Sequence, residues 1–203
     1  MFMRGAPFFY MEQGVYGAYR IINTLINQEY YRFNAQTQDK ITFDKLLRRN
    51  FIGTISNPLI KKECVEEVGG FDEELQSNQD YDLWLRIVAR YPAAYIDKPL
   101  LNYYIHEGER ISSNVDSKIA GLEYLNLKYH EYLEKDNLAW YLRHRHLLWF
   151  YLKKYGRSRA VSLWVKCVKK VPWSLILNMK DFFMIVLGAD HYSLFVRKVK
   201  SLA

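Results

Sequence analysis

Two carboxylates at alternate positions open a predicted helix near the middle of the chain. The run QDYDLWLR at residues 79–86 places Asp80 and Asp82 at the start of an apolar stripe. A carboxylate at the mouth of a helix can be aimed into a cleft, where it accepts a proton from a substrate hydroxyl. The alternative is that Asp80, or Asn78 before it, is a helix N-cap that accepts hydrogen bonds from unpaired backbone amides. The two roles are compatible.

Asp82 has a different interpretation, although Asp80 and Asp82 together form a D-x-D string that could suggest a metal site. Side chains two positions apart on a helix point about 200° away from each other, so both carboxylates cannot easily face one ion. Asp82 also precedes Arg86 by four residues. We therefore predict an i, i+4 ion pair between Asp82 and Arg86.

The elements that position these carboxylates follow from local signals in the first half of the chain. Aromatic and β-branched residues predict a strand, apolar stripes predict helices, Gly-Gly ends a helix because it accepts positive φ, and Pro stops one. The predicted elements are a strand at 15–22, a helix at 42–49 capped by Thr42, an extended segment at 52–60, a helix at 61–68 that stops at Gly69, and the helix that begins near Asp80 and ends before Pro92.

The second half of the chain is predicted to be helical. Two short strands at 94–97 and 101–106 flank Lys98 and Pro99, and helical periodicity then runs from residue 113 almost to the end. Interruptions are expected near 135–137, at Gly156 and at Pro172. The longest apolar run, 182–189, is too short to span a bilayer.

Composition fits a globular body with a basic tail. The chain has 203 residues, of which 50% are hydrophobic. Residues 139–203 contain 13 Lys and Arg but only 2 Asp and Glu, whereas the first 138 residues contain 16 bases and 20 acids. Cys64 and Cys167 have no second pair that would form a disulfide framework, so they indicate thiols in a reducing compartment. The apolar start of the chain is broken by Arg4, Gly5 and Pro7 and does not resemble a signal peptide.

Three sequence segments together resemble family 2 glycosyltransferases. The run GGFDEEL at residues 69–75 and the run QDYDLWLR at 79–86 are similar to the acceptor-side signature of that family, in which the first Asp of the second run is the catalytic base. The run YYIHEGERIS at 103–112 resembles the loop that closes the catalytic domain in many bacterial members. Gln79 departs from the acidic residue that usually precedes the catalytic Asp.

The resemblance implies roles for particular residues. Asp80 would be the general base of an inverting transfer, and Asp72, Glu73 and Trp84 would contact the acceptor. His106 and Ser112 would face the diphosphate of the donor or its metal, Mn²⁺ or Mg²⁺, with His106 as a metal ligand; imidazole suits such ions and phosphate oxygens. The alternatives are structural. Asp72 and Glu73 could stabilise a turn and carry solvated charge, and His106 could be a surface or packing residue.

The resemblance also implies the fold and the activity. We expect an α/β chain, with residues 1–112 as the acceptor-side part of a glycosyltransferase-A (Rossmann-like) catalytic domain and residues 113–203 as a mainly helical basic tail. The expected reaction transfers a sugar from a nucleotide-sugar donor to a glycan or lipid-linked acceptor in the assembly of cell-envelope polysaccharide or glycolipid. The donor-binding half would precede residue 1, so the chain alone is expected to be inactive.

The tail interleaves aromatic residues with Lys and Arg, as at 147–154 and 164–173. That composition suits the headgroup region of an anionic membrane, and predicts a cytoplasmic protein held peripherally at the cytoplasmic face. The alternative is a helical subdomain that packs its aromatics inside. No recognised nucleic-acid module is present, so nucleic acid is not an expected partner. Two other classes stay open: a non-catalytic truncated module, and a basic membrane-surface binding protein.

Overall fold

The structure of the protein is a computed structural model that describes residues 14–23, 28–32, 41–105 and 114–200. The chain divides into two units. The first consists of residues 1–74 and 78–111, and the second consists of residues 75–77 and 112–203. The architecture is mixed α/β in the first unit and helical in the second, as the sequence predicts.

The first unit is built on a mixed sheet centred on strand β1, Gly14–Asn23. Strand β2, Gln28–Arg32, and the short strand β3, Leu59–Ile60, pair antiparallel with the two ends of β1. Strand β4, Ala94–Ile105, pairs parallel with β1 along most of its length. A parallel pair needs a crossover connection, and among the described residues of this unit the crossover contains three helices.

Strand β4 is continuous, which corrects the prediction of two short strands separated by Lys98 and Pro99. The pairing shifts register there, because Gly17 lies opposite Ile96 whereas Ala18 lies opposite Pro99. A bulge of this kind absorbs extra residues without ending a strand. The buried Asn57 side chain completes the hydrogen bonding at this point, accepting from the Gly17 amide (3.2 Å) and donating to the Gly17 carbonyl (2.9 Å).

The helices described in the crossover lie close to their predicted positions. Helix α1 spans Phe43–Arg48, helix α2 spans Lys62–Glu67 and helix α3 spans Gln79–Arg90. Thr42 caps α1 as predicted, since its hydroxyl accepts a hydrogen bond from the Lys45 amide (3.4 Å). The predicted extended segment at 52–60 contains regular strand only at its last two residues, and turns and bends account for most of the rest.

The second unit consists of consecutive helices, as the periodicity after residue 113 predicts. Their bounds are α4 Val115–Lys128, α5 His130–Lys135, α6 Asn137–Tyr155, α7 Arg157–Lys170, α8 Leu175–Leu187 and α9 Ala189–Lys200. The breaks at Asp136, Gly156 and the segment after Lys170 are confirmed. Asp136 ends one helix and caps the next, accepting from the Leu138 and Ala139 amides (both 3.0 Å). The breaks at Tyr129 and Gly188 were not predicted.

A buried carboxylate lies at the centre of the helical unit. Asp181, on α8, accepts hydrogen bonds from the Tyr141 hydroxyl (2.6 Å) and the Arg145 guanidinium (2.5 Å), both on α6. Burial raises the pKa of the Asp181 carboxyl, while Arg145 and Tyr141 oppose that rise. These contacts fix the rotation of α8 about its own axis, because a buried charge is tolerated only when it is paired.

Helix α4 carries one close backbone approach. Ser77 donates a hydrogen bond from its hydroxyl to the Ser117 carbonyl (2.9 Å). The Ser77 carbonyl oxygen would lie 2.5 Å from a Cβ atom placed at Gly121. Glycine at position 121 therefore lets the segment 75–77 pack directly against the helix.

Candidate functional site

The turn that leads into helix α3 begins where α2 ends. Gly69 (φ 83°) and Gly70 (φ 67°) both have positive φ, which confirms the predicted stop signal. Their amides donate to the carbonyls of Glu66 and Val65 (both 2.9 Å), the two bonds of a Schellman motif. Neither glycine is crowded, so the backbone conformation alone accounts for the Gly-Gly pair.

Asp72 and Glu73 continue this turn. The Asp72 carboxylate accepts a hydrogen bond from the Glu74 amide (3.1 Å), which is the geometry of an Asx turn. Glu73 is exposed. Asp72 thus shapes the loop before α3, and contact of Asp72 and Glu73 with an acceptor stays a prediction.

Asp80 lies in the first turn of α3, as the sequence predicts. Asn78 is the residue at the N-cap position, but it adopts a left-handed conformation (φ 65°) and makes no side-chain cap hydrogen bond. Asp80 is half-buried, and its carboxylate accepts from the amide of Tyr81 (2.8 Å). The unpaired amides of a helix N-terminus attract negative charge, so this position suits a carboxylate.

The other polar residues of the same run have structural partners. Asp82 is fully buried and pairs with Arg86 (Oδ2 to Nε, 2.8 Å), which confirms the predicted i, i+4 ion pair. The Arg86 guanidinium also donates to the carbonyls of Val68 and Gly70 (2.6 Å to Gly70). The Tyr81 hydroxyl donates to the Leu46 and Leu47 carbonyls at the end of α1 (2.7 and 3.0 Å).

Arg86 therefore ties the glycine turn to helix α3. The spacing of Arg86 and Asp82 predicted their ion pair, but no sequence signal indicated the two carbonyls 16 and 18 residues earlier. These hydrogen bonds hold the GGFDE turn and the Asp-x-Asp-Leu-Trp-x-Arg helix together. The result is that Asp80 is held at a fixed position relative to the turn at 69–74.

Trp84 lies in the core of the first unit, where its side chain is only 3% exposed. It lines a cavity of about 20 Å³ together with Tyr16, Ile52, Ile87 and Pro92. A cavity of that volume has room for about one water molecule and none for a saccharide. The geometry therefore gives no support to the predicted contact between Trp84 and an acceptor.

His106 and Ser112 lie outside the described residues. Their predicted contacts with a diphosphate or a metal stay predictions. Within the described ranges, no group of three or more His, Cys, Asp and Glu side chains is placed to hold a metal ion. Because Asp82 forms an ion pair with Arg86, residues 80–82 do not fit a divalent-metal site.

The helical unit contains a larger cavity that the sequence did not reveal. Its volume is about 390 Å³, and its lining includes Glu123, Trp140, His144, Tyr151 and Arg159. The rings of Trp140 and His144 stack at 3.6 Å, and His144 Nδ1 donates to the Trp140 carbonyl (2.8 Å). Burial lowers the pKa of His144, whereas burial and the adjacent Glu123 carboxylate raise the pKa of Tyr151 to about 12.

Together, the sheet, the glycine turn and the carboxylate at the mouth of α3 define an α/β protein with one candidate active-site acid. Comparison with known families gives its place among them. The family profile described as glycosyltransferase like family 2 matches residues 18–137, which is more than half of the chain. The chain belongs to this family, and glycosyl transfer is the general activity that membership supports. No curated protein and no solved structure matches the chain.

The matched range includes β4, the turn at 69–74 and all of α3, so it covers every described candidate site residue. It also extends into the helical unit as far as the start of α6. A nucleotide-sugar donor and an acceptor follow as general partners. In the part of the chain that the structure describes, none of the helices has the length and apolar character needed to cross a membrane.

Proposed function

We propose that this protein transfers a sugar, with inversion of configuration, from a nucleotide-sugar donor to a glycan or lipid-linked acceptor, and that Asp80 is the general base. One observation carries the choice of base. Asp80 is half-buried at the start of α3, whereas Asp82 is fully buried in its pair with Arg86. Of the two carboxylates, Asp80 is thus the one with surface that an acceptor hydroxyl can reach.

The proposed step needs one proton acceptor. The acceptor oxygen forms a bond to the anomeric carbon while the bond from that carbon to the diphosphate breaks, and the nucleoside diphosphate leaves with the electron pair. The Asp80 carboxylate takes the proton of the attacking hydroxyl. This lowers the barrier because the attacking oxygen does not acquire the positive charge of an oxonium ion. Attack from the face opposite the leaving group inverts the configuration.

The turn that Arg86 holds is the proposed acceptor side. Asp72 and Glu73 lie eight and seven residues before Asp80 on a loop that is fixed at its start by Val68 and Gly70. Carboxylates suit the hydroxyl groups of a sugar, because those hydroxyls donate hydrogen bonds. We propose no role for Trp84 beyond packing.

The donor side is the less defined part of the proposal. His106, Ser112 and a divalent ion, Mn²⁺ or Mg²⁺, remain the proposed partners of the donor diphosphate. The described residues supply no metal site, so no step of the proposed chemistry passes through a metal. We also propose residues 1–112 as the catalytic portion and 113–203 as a helical region that holds the protein at the cytoplasmic face of an anionic membrane, where lipid-linked acceptors of envelope polysaccharide are found.

The test is a comparison of Asp80→Asn with Asp82→Asn. Acceptor-dependent release of nucleotide is measured with UDP-, GDP- and dTDP-sugars and Mn²⁺, while donor binding is measured by titration calorimetry. Asp80→Asn should lower kcat by about 10²- to 10⁴-fold and leave donor affinity nearly unchanged.

Asp82→Asn is the matched control, because it removes the same charge two residues away. It should reduce stability, by weakening the pair with Arg86, more than it reduces kcat in the folded fraction. Equal losses of kcat in the two variants would show that the base is wrongly assigned. Donor binding without any acceptor-dependent release would favour the non-catalytic alternative.

A further inference from the structure

Helix α8 has its faces reversed relative to an ordinary surface helix. The side that faces the protein carries Asn178 and Asp181, which are both buried, beside Met184 and Ile185. Large apolar side chains lie on the other side and are exposed to solvent: Leu175, Ile176, Met179, Phe182, Phe183, Val186 and Leu187. At 100° per residue these seven positions occupy an arc of about 140°.

Polar contacts of the buried side chains fix this orientation of α8. Asp181 is held by Tyr141 and Arg145, and the Asn178 side chain donates to the Val171 carbonyl (3.1 Å). Turning α8 to bury its apolar arc would expose those pairs and leave Arg145 without its carboxylate. The exposed apolar surface is therefore built into the unit, and contiguous surfaces of this kind mark interaction sites.

Exposed apolar side chains also occur before the start of α8 and after its end. Trp173, two residues before α8, is 69% exposed, and Leu194 and Phe195 on α9 are exposed as well. Trp149 and Trp164, which share the basic aromatic tail with Trp173, are half-buried. Lys180 is exposed and lies at the border of the apolar arc, where a long side chain can reach polar surroundings.

The net charge of the segment that contains α8 favours one kind of partner. Residues 139–203 contain 13 Lys and Arg and only two acids, Asp181 and Asp190. Because Asp181 is buried on the inner face of α8, Asp190 is the one acid of this segment at the surface. A second copy would bring a like positive charge against the first, whereas an anionic lipid surface attracts it. A helix of 13 residues is too short to span a bilayer but suits its interface.

We infer that α8 is a membrane-insertion element, which lies along an anionic lipid surface and places its exposed apolar arc among the acyl chains. Trp173 contributes at the headgroup level, as aromatic rings with a polar tip do. This inference deepens the proposed membrane association. In this inference, electrostatic attraction brings α8 to the membrane surface. Insertion of its apolar face then holds it there.

The test is flotation of the full chain with vesicles of phosphatidylcholine containing 30% phosphatidylglycerol, and with phosphatidylcholine alone. The variant Ile176→Ser/Phe183→Ser/Val186→Ser removes apolar surface from α8 without touching Asn178 or Asp181. Its partition coefficient on anionic vesicles should fall at least tenfold. The matched control, Leu59→Ser/Leu100→Ser/Leu127→Ser, removes three apolar side chains that are exposed elsewhere and should bind like the wild type.

A second measurement places the contact. Cys64 and Cys167 are buried, so an environment-sensitive fluorophore can be directed to a cysteine introduced at position 176, or at 127 as the control. Emission from position 176 should rise and shift to the blue on anionic vesicles, while emission from position 127 should not change. High salt should weaken wild-type binding without abolishing it, because insertion of apolar groups is not screened.

Three results would overturn the inference. The α8 variant could bind as the wild type does, the probe at position 176 could remain insensitive to vesicles, or light scattering could show a dimer that the α8 variant converts to a monomer in the absence of vesicle binding. The last result would identify the face as an interface between copies. None of these measurements requires turnover, so failure here is distinguishable from failure of the proposed glycosyl transfer.

Discussion

Replacing Arg86 with Met should loosen the glycine turn and helix α2 while leaving the helical unit intact. Arg86 is the partner of a fully buried carboxylate and also bonds the Val68 and Gly70 carbonyls. Loss of one member of a buried ion pair costs about 3–5 kcal/mol, because the remaining charge is buried without its partner. Since the Arg86 side chain is 20% exposed, we expect the lower end of that range, about 3 kcal/mol.

The chain contains a reporter of opening in each unit. Cys64 is buried on α2, which Arg86 ties to α3, and Cys167 is buried on α7. Thiol labelling in moderate urea, with the two cysteine peptides separated by mass spectrometry, measures how often each site opens. A loss of about 3 kcal/mol corresponds to about a 10²-fold faster labelling of Cys64. Labelling of Cys167 should be unchanged, and it serves as the internal control.

Arg90→Met is the matched control variant. Arg90 lies one turn further along α3 and donates to the Glu67 carbonyl (2.8 Å), but this contact is exposed and involves no buried charge. It should speed labelling of Cys64 less than about tenfold. The double variant Asp82→Leu/Arg86→Met should recover part of the protection, because no unpaired charge remains. Unchanged Cys64 labelling in Arg86→Met, or equal acceleration of Cys167, would refute the reasoning.

Two further predictions concern the helical unit. Burial lowers the pKa of His144, so the folded state disfavours its protonation; stability should be fully present above the ordinary value of 6.5 and fall as the pH drops below it. The urea midpoint should therefore decrease more between pH 7.5 and 5.5 in the wild type than in His144→Gln, and parallel decreases would contradict this. Gly121→Ala should cost about 1–3 kcal/mol of unfolding free energy, since the new Cβ would lie 2.5 Å from the Ser77 carbonyl oxygen. Gly17→Ala should cost less because its nearest neighbour is the movable Leu100 side chain. If Gly121→Ala were instead more stable than the wild type, the segment around Ser77 would not lie this close to α4.

The sequence by itself determined the features that depend on neighbouring residues. Thr42 caps α1, Gly69 and Gly70 end α2, Asp82 pairs with Arg86, and Gly156 separates two helices. Each of these involves partners within about one or two helical turns, so spacing alone is enough to indicate it. The presence of Asp80 in the first turn of α3 belongs to the same group.

Only the tertiary structure decided the features that join distant parts of the chain. The sequence predicted a break at Lys98 and Pro99, but pairing with β1 makes β4 continuous across a bulge. Trp84 is in the core, and Arg86 reaches back to carbonyls at the end of α2, because packing brings segments together that spacing does not relate. The sequence predicted helical structure after residue 113, but which side of α8 faces the protein was decided by the burial of Asp181 against Tyr141 and Arg145.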